Sequence, residues 1–324
     1  MKSLTRLGVA ILLMIGGLFP ALAEDYPNKP IRLIVSYPPG GGVDLSGRIV
    51  AEALSQRLGQ QVVVENRPGA SGTIGGDYAA KSPADGYTLL WASTDAMTIV
   101  PAVKRNTPYR IPEDFSFIAK FAETGMSFVI SSKLPVTSLT EFIAYGKQNP
   151  GKLRYGTSGV GGSIHLGTLL FEKYAGVKTT HIPYKGVAPT LTDLLGGHIE
   201  FALVTPITMV PHLASDKIRV IGVTAPARHP LVPNAPTMTE AGLPQATMTV
   251  WYGLLGPNKL PAPVRERLQK EVAAIIESPA IKEKFAAAGL LMAPLFGGQF
   301  EKAVVDEYDR WKAIAGAENI VVED

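Results

Sequence analysis

Twice in this chain a short apolar run leads through a glycine-rich turn into a helical pattern. The first instance is Ile31-Arg32-Leu33-Ile34-Val35, then Tyr37-Pro38-Pro39-Gly40-Gly41-Gly42-Val43-Asp44, then a helix with Leu45, Ile49, Ala53 and Leu58 on one face. The second is Leu153-Arg154-Tyr155, then Gly156-Thr157-Ser158-Gly159-Val160-Gly161-Gly162-Ser163, then a helix over 164–174. A strand handed through a tight turn to a helix is the repeating step of an α/β sheet, so this feature sets the fold class. It also has a chemical consequence. Glycines let the backbone turn sharply and let another group approach the amides. The first turn of a helix leaves N–H groups unpaired at the positive end of the dipole. Each turn is therefore a candidate anion seat, and two facing seats can hold one small anion from both sides.

The rest of the chain repeats the alternation. Strands over 31–35, 61–65 and 87–92 enclose helices over 44–58 and 75–81, which predicts a parallel sheet covered by helices. In such sheets the ligand crevice lies beyond the C-terminal strand ends, where the loops 37–44, 66–73 and 93–95 fall. Strand-like runs over 115–123 and 126–131 leave this unit. A second alternation follows: helix 138–148, strand 153–155, helix 163–174, strand 180–182, helix 188–195, strand 199–204, helix 206–214 and strand 218–223. Ser138 with Glu141 three residues on has the spacing of a capping box. A proline-rich excursion over 225–244 and a strand over 250–255 come next. Helices over 262–278, 279–288 and 299–315 close the chain with no strands of their own to cover, so they are expected to pack back onto the first unit. The predicted architecture is α/β and two-lobed, each lobe a mostly parallel sheet flanked by helices. Lobe 1 is 24–124 plus 248–324 and lobe 2 is 125–247. The chain crosses between them near Thr124 and Pro244, the plan of a hinge-bending binding protein.

The first 23 residues stand apart. Lys2 and Arg6 precede an apolar run over 7–18, and Ala21-Leu22-Ala23 forms a small-residue cleavage site, the pattern of a signal peptide cut after Ala23. A retained anchor is the alternative, but the run is shorter than the ~20 residues a spanning helix needs. The chain has no cysteine, which removes disulfides, thiol catalysis and Cys-ligated zinc. Without Lys2 and Arg6 the 31 basic residues fall to 29 against 28 acidic ones, a net charge of about +1. With no basic stripe, nucleic acid is not an expected partner.

The glycines 40–42 match neither the dinucleotide fingerprint nor the P-loop. Neither Ser158 nor Ser163 sits in a G-x-S-x-G elbow, since residues 160 and 165 are Val160 and His165. A serine hydrolase with a triad assembled across the chain stays as an alternative. The five histidines lack metal-site spacing, so neither a metal nor another cofactor is expected. Asp44, which would repel an anion if it pointed inward, reads as a capping or loop-ordering residue. Tyr184 follows a strand end, where it can line the cleft. His165, Trp251 and Tyr252 read first as packing residues.

The motifs Tyr26-Pro27-x-Lys29-Pro30-Ile31-Arg32, Pro38-Pro39-Gly40-Gly41-Gly42-x-Asp44, Val64-Glu65-Asn66-Arg67-Pro68-Gly69-Ala70, Ala84-Asp85-Gly86-Tyr87-Thr88-Leu89, Gly156-Thr157-Ser158-Gly159-x-Gly161-x-Ser163-x-His165 and His181-x-Pro183-Tyr184-Lys185-Gly186 run through the mature chain. Together they resemble the Bug-type substrate-binding proteins of tripartite tricarboxylate transporters. The resemblance implies a Venus-flytrap fold and a non-enzymatic, monomeric periplasmic receptor for a small carboxylate, with membrane permease subunits as partners. A ligand-sensing adaptor for a sensor kinase would look the same in sequence. In the family the two glycine turns grip a carboxylate through amides, hydroxyls and waters. This points to Tyr37, Pro38, Gly41, Gly42 and Asp44 on one side, and to Thr157, Ser158, Gly161, Ser163 and His165 on the other. Ala70, Ser71 and Gly72 and the strand end Ser93-Thr94 flank them. Many relatives carry an acid at the position of Val204, which Thr205 follows here. Its absence lowers the expectation of an amino-acid ligand and favours a dicarboxylate, a tricarboxylate or an aromatic acid.

Overall fold

The computed structural model describes residues 26–104 and 106–318. The leader and its cleavage site lie outside the described residues. In chain order the strands are β1 (Ile31–Val35), β2 (Val62–Asn66), β3 (Thr88–Ser93), β4 (Phe115–Gly125), β5 (Ser127–Ser131), β6 (Leu153–Thr157), β7 (Thr179–Pro183), β8 (Phe201–Val204), β9 (Ile218–Val223), β10 (Thr249–Pro257) and β11 (Leu291–Phe296). They form two sheets, ordered β11-β4-β10-β3-β1-β2 and β7-β6-β8-β5-β9.

Both sheets are mixed, and the reason lies in the connections. β1 pairs in parallel with β2 and β3, and β6 with β7 and β8, as right-sized helical crossovers dictate. Antiparallel pairing enters with the strands at the lobe crossings. β10 runs against β3 and β4, and β5 runs against β8 and β9. The helices pack on these sheets: α1 (Gly42–Leu58), α2 (Thr73–Ala80), α3 (Leu139–Gln148), α4 (Ser163–Ala175), α5 (Val187–Gly196), α6 (Ala262–Glu277), α7 (Pro279–Ala287) and α8 (Gly297–Glu318).

Three local differences from the sequence reading have physical causes. The closing segment does carry a strand, β11, at the sheet edge against β4. Pro294 sits on this edge strand where its register shifts, between Met292 and Leu295, and both features tolerate a residue without an N–H. The helix over 206–214 is only a turn, Pro206–Met209, followed by a 3-10 turn, Val210–His212. Pro211 has no N–H with which to continue the ladder. The loop after β3 coils at once into a wide helical turn, Asp95–Ile99. The start of α3 follows the expected spacing with one change. Ser138 Oγ accepts the Glu141 N–H at 3.2 Å, and the Glu141 carboxylate reaches one residue further back to take the N–H of Thr137 at 2.7 Å.

Each sheet has an aromatic core. Trp91 on β3 is fully buried against Phe121, ring centres 5.1 Å apart, and donates its indole N–H to Ser46 of α1 at 2.9 Å. That bond pins the helix carrying the first glycine turn to the sheet beneath it. In the second sheet Phe128 stacks on Phe201 at 5.1 Å and meets Phe171 of α4 at 4.8 Å. Such rings contribute ~0.5–1.5 kcal/mol per pair beyond area burial, and here they fix α4, which carries the second turn. The lobes join at Met126, the single residue between β4 and β5, and at Met248 before β10. Thr224 ties the two. Its N–H and hydroxyl oxygen bond Met126 O and N, and its carbonyl and hydroxyl bond Met248 N and O, all at 2.8 Å.

Candidate functional site

The two glycine turns face each other across the cleft between the sheets. α1 begins at Gly42, with Gly41 as its N-cap and no side chain capping it. α4 begins at Ser163, with Gly162 as its N-cap and again no local side-chain cap. Neither helix start is capped by its own N-cap side chain, which leaves first-turn amides to be met by groups from elsewhere.

The first turn is braced from behind. Asp44 is 2% exposed and walls neither chamber of the cleft. Its carboxylate accepts the Gly40 N–H at 3.0 Å and the Asn66 amide at 2.8 Å, and pairs with Arg48 at 2.9 Å. Burial works against its charge, but the Arg48, Asn66 and Gly40 donors outweigh it and hold the carboxyl below the usual range. Asn66 also donates to Tyr37 O at 2.9 Å. The loop is therefore shaped by an acid that does not face the ligand space.

The second turn is braced by rings. Tyr155, His181 and His165 stack beneath it, with centroids 4.9 Å apart for Tyr155 and His181 and 4.4 Å apart for the two histidines. His165 Nδ1 accepts the Gly161 N–H at 3.2 Å, and His181 Nε2 meets Thr157 Oγ1 at 2.7 Å. Burial, reinforced by the neighbouring His181, pushes His165 down to about 4, so the ring is neutral near pH 7. Both imidazoles are occupied with loop ordering. Among the described residues the hydrogen-bond partners of these rings are Gly161 and Thr157, not Ser158 or Ser163.

Between the turns lies an inner chamber of about 50 Å³, walled by Tyr37, Pro38, Gly41, Gly42, Ser158, Ser163 and Thr205, and also by Ser93, Asp95, Tyr252 and aliphatic residues such as Val43 and Val187. A single water needs roughly 10–15 Å³ of such space, so the chamber suits a group of a few heavy atoms. Past Tyr37, Pro38 and Ser158 it adjoins an outer chamber of about 600 Å³, walled by Ala70, Ser71, Gly72, Val160, Tyr184, Lys104 and Lys185 among others. At Gly42 the fit is close. A Cβ there would lie 2.6 Å from Thr205 Oγ1 and 2.8 Å from Tyr252 Oη.

The lobes touch across this space. Ala70 and Ser71 are in the left-handed region, at φ 47° and 53°, a strained conformation for residues with a Cβ. It aims Ser71 Oγ at Val160 O of the opposite lobe, 2.8 Å away. Tyr37 steadies the strained turn by donating its hydroxyl to Ser71 O at 2.7 Å. Asp95, from the turn after β3, reaches over to the second seat and accepts the Ser163 N–H at 3.1 Å. A Cβ on Gly162 would lie 2.8 Å from Asp95 Oδ2.

Of the residues singled out from sequence, most wall one chamber or the other. Thr94, Thr157, Gly161, His165 and Asp44 stand behind the walls: Thr94 Oγ1 accepts the Trp251 N–H at 2.7 Å, and the others order the loops. Sequence reasoning passed over Asp95 and Tyr252. Asp95 lay in a loop already placed at the strand ends, so position alone could have found it. Tyr252 is 2% exposed and reads as core; nothing local marks its hydroxyl as facing a cavity.

The sequence model of the tripartite tricarboxylate transporter family receptor matches residues 47–320. The chain belongs to this receptor family. Among its relatives, BugT of Bordetella pertussis is 34% identical over 300 residues, 91% of each chain. The R. palustris receptor Rpa4515, solved with adipate, superposes with a TM-score of 0.88 at 33% identity, covering 92% of this chain and 99% of that one. MatC from Rhodopseudomonas palustris, solved with bound malate, gives 0.83 at 26% identity, covering 89% and 99%. The two-lobed α/β fold is thus that of the periplasmic receptors of this family. No helix among the described residues is long and apolar enough to cross a membrane.

Proposed function

We propose that this protein is a periplasmic receptor that binds a small carboxylate between its lobes and delivers it to the membrane permease of a tripartite tricarboxylate-type transporter. The observation that carries the reading is the uncapped start of α1, whose amides open into the inner chamber beside the hydroxyls of Thr205 and Tyr252. A carboxylate there is held by amides, hydroxyls and the helix dipole without a formal counter-charge. Tyr37, Pro38, Gly41, Gly42, Ser158, Ser163 and Thr205 contact its head, while Ala70, Ser71, Gly72 and Tyr184 line the path of its tail. Asp44 and His165 act through the loops they brace.

The residues 24–124 plus 248–324 and 125–247 form the moving bodies, hinged at Met126, Thr224 and Met248. A ligand that touches both bodies only when they are closed shifts the equilibrium toward the closed form, and the permease reads that form. The protein works as a monomer, exported by a leader cleaved after Ala23, and catalyses no reaction. Adipate and malate, the acids found in its relatives, head the list of dicarboxylates, tricarboxylates and aromatic acids to try. Thermal-shift screening followed by calorimetry tests the reading. Saturating acid at about 100 times Kd adds roughly 2.7 kcal/mol of stability. A folded, monodisperse protein that responds to no acid in such a panel contradicts it.

A further inference from the structure

The inner chamber holds an acid to which the receptor reading gives no role. Asp95 is 8% exposed and walls the chamber. Its partners are neutral: the Ser163 N–H at 3.1 Å and the Tyr37 hydroxyl at 3.2 Å. Tyr37 faces it from the first turn, Ser163 from α4 and Tyr252 from β10, and none of these brings a cation. A phenol has one proton to give. Tyr37 Oη lies 2.7 Å from Ser71 O, a carbonyl that can only accept, so its proton belongs to that shorter bond. The Tyr37 oxygen at 3.2 Å from Asp95 Oδ2 is therefore free to accept, so a proton taken up by Asp95 finds a ready partner there. Burial independently pushes the Asp95 carboxyl up.

A ligand carboxylate in a space of about 50 Å³ sits beside this acid with no cation between them. Two carboxyl groups in one desolvated site do not both ionise; one keeps its proton. We propose that a carboxylate ligand enters the cleft together with one proton, which Asp95 holds toward Tyr37. The proton comes from bulk water as the ligand binds and returns there on release. Only the O–H bond of the Asp95 carboxyl forms and breaks. The inference rests on the receptor reading and concerns Asp95 alone.

The test is calorimetry with adipate and with malate in two buffers of different ionisation enthalpy, between about pH 6.5 and 8.5, where both ligands are fully ionised. Linkage ties proton uptake to the slope of affinity with pH. The wild type is expected to take up close to one proton and to lose about tenfold in affinity per pH unit at the alkaline end. D95N, which has the shape of the protonated acid, should show neither effect and should bind at about pH 8 more tightly than wild type. A wild-type affinity flat across the range with no buffer-dependent enthalpy overturns the proposal, and needs no variant. So does D95N with proton uptake unchanged. If neither acid binds the folded protein at any pH, the receptor reading fails, not the proton.

Discussion

The two glycine turns share a sequence plan and differ in how each is held. The first is tied by a charged network: Asp44, Arg48 and Asn66 grip the loop from the rear, and its helix start is left open to the chamber. The second is tied by neutral rings, and its helix start receives Asp95 from the opposite lobe. One seat is open to a guest; the other already holds a carboxyl of the protein. A glycine-rich strand-to-helix turn therefore defines a place where an anion is stable. Which anion goes there depends on what the rest of the fold brings within reach.

The largest expected effect breaks the open seat. Gly42→Asp adds bulk where a Cβ already lies 2.6 Å from Thr205 Oγ1, and adds negative charge at the amides. Carboxylate affinity should fall by more than about 100-fold, roughly 3 kcal/mol, and the crowding should also lower the melting temperature, so affinity is read on protein shown to be folded. Wild-type affinity in a folded G42D protein would remove α1 from the site. The next effect concerns the charged brace. Asp44→Ala leaves the Gly40 N–H, Asn66 and Arg48 without their buried acceptor, and urea titration should show a loss of roughly 2–3 kcal/mol. The Asp44 carboxyl is held below its usual range, so that stability is present above about pH 4 and is lost as the pH falls further.

The smallest effect separates the braces by pH. His165 takes a proton near 6.5 when unfolded but only at about 4 when folded. Between those values the unfolded chain binds more protons, so acid favours unfolding. The wild type should lose melting temperature as the pH falls from about 6.5 to 4. His165→Gln keeps an acceptor for the Gly161 N–H without the titration, and should flatten this part of the curve by a few degrees. An unchanged curve in H165Q would mean that the ring stack does not govern the second turn.

What was legible in the sequence was local. Glycine spacing announces the turns, apolar periodicity announces the strands and helices around them, and Ser138 announces the start of α3. What was not legible depends on contacts far apart in the chain or on an exception to local rules. The pairing of Asp95 with Ser163 spans 68 positions and joins two lobes. Tyr252 is buried like any core tyrosine, and only the placement of Thr205 beside it reveals its hydroxyl as part of a wall. The edge strand β11 contains Pro294, which argues against a strand until the register shift beside it is seen. Asp44 is the opposite case: its partners Gly40 and Arg48 lie within four positions of it, so a loop-ordering acid could be read locally.

The crossing at Met126 and Met248 has one more consequence. A single residue separates β4 from β5, and Thr224 laces both threads together through four bonds of 2.8 Å. There is no slack for one half to slide over the other. In the receptor proposed above, the two halves would part like a book sewn at the spine, the outer margins of the covers sweeping the widest arc.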